Sequence, residues 1–157
     1  MQADSVVEPP RYERKQWLSV LAKAPAHDVM SAWNALDERP DFQALRAPEI
    51  GLVLVRGRMG GLGDAFNFGE MTLTRAAVRL NSGETGLAYV SGRDRRHAEI
   101  AATVDAMMQS SVMRPWVEGP VIAQLDRAQQ ERRELGARKA AATKVDFFTM
   151  VTGRGGA

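Results

Sequence analysis

Between Pro48 and Leu80 the chain reads PEIGLVLVRGRMGGLGDAFNFGEMTLTRAAVRL, two strand-like runs around a glycine-rich turn with arginines in both. Runs joined this closely fold back on one another, so the segment predicts an antiparallel hairpin and not a parallel crossover. A buried sheet needs neither arginine nor glycine in such numbers. The stretch therefore reads as a surface that holds an anion or a partner as well as filling a core.

The flanking sequence supplies the rest of a single α+β domain. Trp17, Val20, Leu21 and Ala24 recur at helical spacing, and Pro25 suits the first turn of a second helix with Val29, Met30, Trp33 and Leu36 on one side. Strands are expected at about Gly51 to Met59, Gly69 to Leu80 and Gly86 to Gly92, the last two joined by a turn over Asn81–Thr85. Asp94 is a fitting N-cap for a third helix to about Ser110, striped by Ile100, Ala101, Val104, Met107 and Met108. Beyond Pro115 and Pro120 a charged helical stretch runs from about Val121 to Lys139, broken by Gly136 and mostly solvated or laid across another protein. Helices, then antiparallel strands, then helices imply an α+β fold: a sheet of at least three strands with flanking helices. Residues 1–10 are expected as a flexible arm, 11–151 as the domain and 152–157 as a tail.

Composition removes several classes of function. With 157 residues, 45% of them hydrophobic, the chain can bury a core without staples, and a net charge of +2 gives no global field for nucleic acid. The absence of cysteine excludes thiolate-ligated metal and iron–sulfur clusters on this chain. No run approaches the ~20 apolar residues of a membrane span, and no secretory signal is evident, so a cytoplasmic location is expected. Gly61-Leu62-Gly63 opens like a dinucleotide fingerprint, but Phe66 stands at the third glycine and a strand follows. No Gly-Lys pair exists for a phosphate loop, and His97-Ala98-Glu99 lacks the cysteines that would complete a zinc deaminase site. With His27 and His97 as the only histidines, no metal site is expected.

If the three strands are consecutive, the end of the first, the start of the second and the end of the third share one edge. Arg56 and Arg58, the Gly60–Gly63 turn, Asn67 and Glu70, and Arg93-Asp94 with His97 one helical turn later would then converge there. Guanidinium groups, free turn amides and a helix N-terminus are the parts from which oxyanion sites are made. The plainer reading stands beside this one. Arginines on a half-exposed strand are often only solvated, Glu70 suits a structural counter-charge, and His97, at the start of an apolar face, suits packing better than catalysis. Near the C-terminus Val145–Val151 concentrates apolar residues, including Phe147, Phe148 and Met150, which calls for docking on this chain's core or on another subunit.

Several blocks taken together carry a family resemblance. Glu49-Ile50-Gly51-Leu52, Gly57–Gly63, Phe66, Gly69-Glu70, Leu73–Leu80, Gly92-Arg93-Asp94 with His97-Ala98-Glu99, and Val145–Val151 resemble the PhnG family, the G subunit of the carbon–phosphorus lyase system. Leu62 stands where a threonine is common in that family, and Thr152-Gly153 where Arg-Gly is common. The resemblance implies a cytoplasmic assembly with the H, I and J proteins, in which alkylphosphonate displaces adenine from ATP to give α-D-ribose 1-alkylphosphonate 5-triphosphate. It implies no cofactor on this chain, with ATP and alkylphosphonate as substrates of the complex and the iron–sulfur chemistry on J. Phosphonate or triphosphate oxygens are then expected at Arg56, Arg58, Arg75 or Arg93, with Asn67, Glu70, Asp94 and His97 in support and Phe147, Phe148 and Met150 at a partner interface. The alternatives are a non-catalytic scaffold of the complex and a stand-alone oxyanion- or nucleotide-binding module.

Overall fold

The computed structural model describes residues 11–143. The expected terminal arm and tail, and Phe147, Phe148 and Met150, lie outside the described residues. Two helices come first, α1 (Arg11–Lys23) and α2 (Ala26–Asn34), and the expected apolar positions Trp17, Val20, Leu21, Ala24, Val29, Trp33 and Leu36 are all buried. Pro25 sits one position earlier than expected. It is the N-cap of α2, and its carbonyl accepts the amides of Asp28 and Val29.

Three antiparallel strands follow in the order β1 (Phe42–Arg58), β2 (Ala65–Leu80) and β3 (Thr85–Ser91). β1 starts well before the expected Gly51, and β2 before the expected Gly69. Pro48 and the charges around it argue against strand in the sequence, yet β1 lies at the sheet edge, where a missing amide costs no ladder bond. Register shifts between Ala44 and Arg46, and between Arg46 and Glu49, absorb the irregularity.

One face of the sheet rests on α3 (Arg95–Gln109). Eleven of its fifteen residues are buried, so α3 is enclosed nearly all round and occupies the centre of the molecule, in contact with the sheet and with α1, α2 and α4 (Arg114–Val117), while α1 also lies against β3. The approach is closest at Gly86, where an added Cβ would collide with the Ala102 carbonyl and lie 2.6 Å from the Ala106 amide. α3 thus runs back beneath the sheet from the end of β3 toward its start. Asp94 caps it as expected, its carboxylate accepting the His97 amide at 2.9 Å.

Asp105, on α3 and fully buried, joins the layers. Its oxygens accept from Arg14 Nε (3.1 Å) and Nη2 (2.7 Å), from Trp17 Nε1 (2.8 Å) and from the Leu87 amide (2.9 Å). A buried carboxylate without partners would cost several kcal/mol, about 3–5 when one member of a buried pair is removed. Here four donors from α1 and the open edge of β3 offset that cost and lock helix to sheet.

A π-helical turn, Glu118–Ala123, leads into α5 (Gln124–Ala142). Gly136 does not break this helix, contrary to the sequence expectation; its cost of about 1 kcal/mol relative to alanine is too small to stop an exposed helix already nucleated. Leu125 and Gln129 anchor α5, Gln129 donating to the Val20 carbonyl at 2.7 Å, while residues 130–143 are exposed throughout. Among the described residues no helix is long and apolar enough to cross a membrane.

Candidate functional site

The sheet has a short side and a long one. Arg58 pairs with Ala65 at the tip of the β1–β2 hairpin, whereas Ser91, the last residue of β3, pairs with Leu73, which itself faces Gly51. The hairpin therefore projects seven residues beyond β3, roughly 23 Å at 3.3 Å per residue. Gly92, at φ +90°, turns the chain out of the ladder; its amide makes one last bond to the Thr72 carbonyl (2.9 Å) before α3 begins. Since α3 starts at this root and runs the other way, the arm has no helix beneath it among the described residues.

Burial changes at the same point. From Thr74 onward β2 buries every second residue, while Ala65 through Met71 are all exposed. Ile50 pairs with buried Thr74 and so lies on the core-side face; Leu52 and Leu54 follow at period two and are 65% and 57% exposed. On the opposite face Val53 and Met71 form a cross-strand pair, also uncovered. Phe68 is the unpaired residue of a bulge opposite Val55 and Arg56, and meets Phe66 edge to face at 6.3 Å. At the tip, Met59 is 77% and Leu62 97% exposed.

This geometry separates the expected oxyanion cluster. Arg58 lies at the tip, where its Nη1 donates to the Gly63 carbonyl at 3.2 Å, and Arg93 lies at the root, so the two ends of the supposed edge do not meet. The expectation set the end of β3 level with the start of β2, whereas β2 begins at Ala65 and β3 ends opposite Leu73. Arg56 faces the same side as Leu52 and Leu54, opposite Asn67, and makes no ion pair among the described residues. Glu70 pairs across the strands with Leu54 and also makes none, so it is not the counter-charge for these arginines.

Arg75 is engaged on the outer face. Its Nη2 and Nε donate to Glu49 Oε2 at 3.0 and 3.2 Å, and Arg46 Nη1 reaches the same oxygen at 3.1 Å. The Arg75 hydrogen bond, followed by Arg46, holds the Glu49 carboxyl below the usual carboxylate range despite some opposing desolvation. His97 is buried, and its Nε2 donates to the Leu21 carbonyl at 2.8 Å, so its ring stitches α3 to α1. Asp94 is occupied as a cap. Arg93, Arg95 and Arg96 are exposed at the root and make no ion pair among the described residues.

The arm as an apolar element was missed from the sequence, although a signal was present. Leu52-Val53-Leu54-Val55 is a continuous apolar run, the pattern of a strand buried on both faces. Among the described residues, neither face is covered.

The sequence profile of a family described as "Phosphonate metabolism protein PhnG" matches residues 12–153. The chain is also similar, at 45% identity over 144 residues and 90% of the length of each, to the alpha-D-ribose 1-methylphosphonate 5-triphosphate synthase subunit PhnG of Rhizobium meliloti (strain 1021).

Proposed function

The chain belongs to the PhnG family, and from that premise we propose that it serves as a subunit of a cytoplasmic complex with the H, I and J proteins that makes α-D-ribose 1-alkylphosphonate 5-triphosphate. In that reaction a phosphonate oxygen replaces N9 of adenine at C1′ of the ATP ribose, and adenine leaves with a proton. The observation that carries this reading is the bare arm. Eight large apolar residues stand uncovered on one arm, Leu52, Val53, Leu54, Met59, Leu62, Phe66, Phe68 and Met71, a concentration of exposed apolar surface that marks a docking site. Such a surface is expected of a chain that is finished only in an assembly.

The chemistry brings a phosphonate dianion toward a triphosphate, and cationic side chains that offset the repulsion would lower the barrier by positioning. On this chain Arg56 and Arg58, on the arm, and Arg93, at its root, are without an ion pair among the described residues, Arg58 donating only to the Gly63 carbonyl, while Arg75 would first have to leave Glu49. These residues act here as binding groups for oxygens held chiefly by other subunits.

Adenine release measured from ATP and methylphosphonate tests the proposal. The chain alone should release none, and the complex should require it; robust release by the isolated chain would overturn the subunit reading. Within the complex, Arg58→Ala should lower assembly or adenine release roughly tenfold, in line with the loss of one charge-assisted contact. Unchanged assembly and unchanged release at limiting methylphosphonate would remove Arg58 from the site and favour a purely scaffolding role for the arm tip.

A further inference from the structure

We propose that the arm takes up an extended strand of a partner subunit along the vacant edge of β2, from Ala65 to Met71 and in line with β3, and that this strand carries acidic residues at the end facing Arg93, Arg95 and Arg96. The inference rests on the subunit reading above and specifies how the contact is made. β2 continues as strand for seven residues after β3 has turned away at Gly92, with β1 on one side and, among the described residues, no strand on the other. The Thr72 carbonyl points toward β3, as its bond from Gly92 shows, so at period two Glu70 directs its amide and carbonyl to the same, vacant side. An incoming strand would extend the ladder that β3 begins.

Side chains point to the same occupant. Apolar residues on both faces of the arm, Leu52 and Leu54 on one and Val53 and Met71 on the other, call for a partner that encloses it and not one that merely touches a face. At the root, where a strand in line with β3 would begin, three exposed arginines are without ion pairs among the described residues, which selects acidic groups there. Strand addition with backbone bonds supplying affinity and side chains supplying choice is an established mode of recognition.

The test uses the full-length chain co-produced with the other synthase subunits. In the complex, exchange of the Glu70 amide should slow at least a hundredfold relative to the free chain. Glu70→Pro removes that amide at a position not bonded to β1; the free variant should keep its circular dichroism and melting temperature, yet bind the partner at least tenfold more weakly. Arg93→Glu should weaken binding further and flatten its salt dependence. Binding of Glu70→Pro equal to that of the parent chain overturns strand addition. If assembly nonetheless fails in the double variant Leu52→Ser, Leu54→Ser, the arm docks by its faces alone and the subunit reading stands; if that variant also assembles normally, the arm is not the docking element. Sedimentation of the parent chain as a dimer that Glu70→Pro dissociates would place a second copy, not another subunit, on the edge and overturn the proposal.

Discussion

β2 is one continuous strand of sixteen residues with two unlike halves. In the inner half Thr74, Ala76, Val78 and Leu80 alternate into the core over α3; in the outer half, Ala65 to Met71, nothing is covered. The backbone pairing with β1 runs through both. What differs is the neighbours: β3 and a helix for the inner half, neither of them for the outer. Hydrogen bonds to one adjacent strand are enough to keep strand geometry, but a two-stranded ribbon is marginal in water unless one face is packed. The outer half is therefore ordered by its root and completed by whatever covers it, so substitutions in the two halves should read out in different assays.

The largest effect is expected in the body. Asp105→Ala leaves Arg14, Trp17 and the Leu87 amide without their acceptor in the interior and should destabilise the free chain by about 3–5 kcal/mol, lowering its urea midpoint sharply. Arm variants should not approach that figure. A loss below about 1 kcal/mol for Asp105→Ala would mean that the body is not held by this hub, and the division between a self-sufficient body and a dependent arm would lose its basis.

The body was legible in the sequence and the arm was not, for reasons visible in particular residues. Helical spacing exposed Trp17, Val20 and Leu21 on α1 and Ile100, Ala101 and Val104 on α3, because that pattern records burial within the chain. Asp105 left no such trace: an acidic residue on an amphipathic helix looks solvated until α1 is known to lie against it. The extent of β1 was hidden by Pro48, tolerated only because β1 is an edge. Convergence of Arg58 with Arg93 failed because strand lengths, unlike strand directions, are set by where a turn such as Gly92 falls. The run Leu52–Val55 has the pattern of a buried strand, yet among the described residues nothing covers it.

A middle-sized effect separates the halves directly. The double variant Leu52→Ser, Leu54→Ser changes two exposed side chains, so the free chain's stability should move by no more than about 0.5 kcal/mol per site. Its solubility when produced alone should rise, since less apolar surface is left wet. A loss of stability comparable to that of Asp105→Ala would show that the arm is packed in the free chain, erasing the contrast between the halves of β2.

The smallest effect lies at the junction, where Glu49 and Arg75 face each other across β1 and β2 beside the root of the arm. Because hydrogen bonding from Arg75, then Arg46, lowers the Glu49 pKa, the folded chain favours the carboxylate. Its contribution is present above the unfolded-state value of about 4.5 and is lost as pH falls through the lowered folded value. The pair is exposed and screened by salt, so Glu49→Gln should barely alter stability at neutral pH and should slightly flatten its decline between about pH 5 and 3. Arg75→Ala should return the Glu49 titration, followed by NMR, toward the ordinary carboxylate range. If the exchange of the Gly51 and Leu52 amides also quickens in Arg75→Ala, the ion pair stiffens the root and the arm is presented in a set direction; if exchange is unchanged while the titration shifts, the root is held by the ladder alone, and the two halves of β2 are joined by backbone bonds without help from charge.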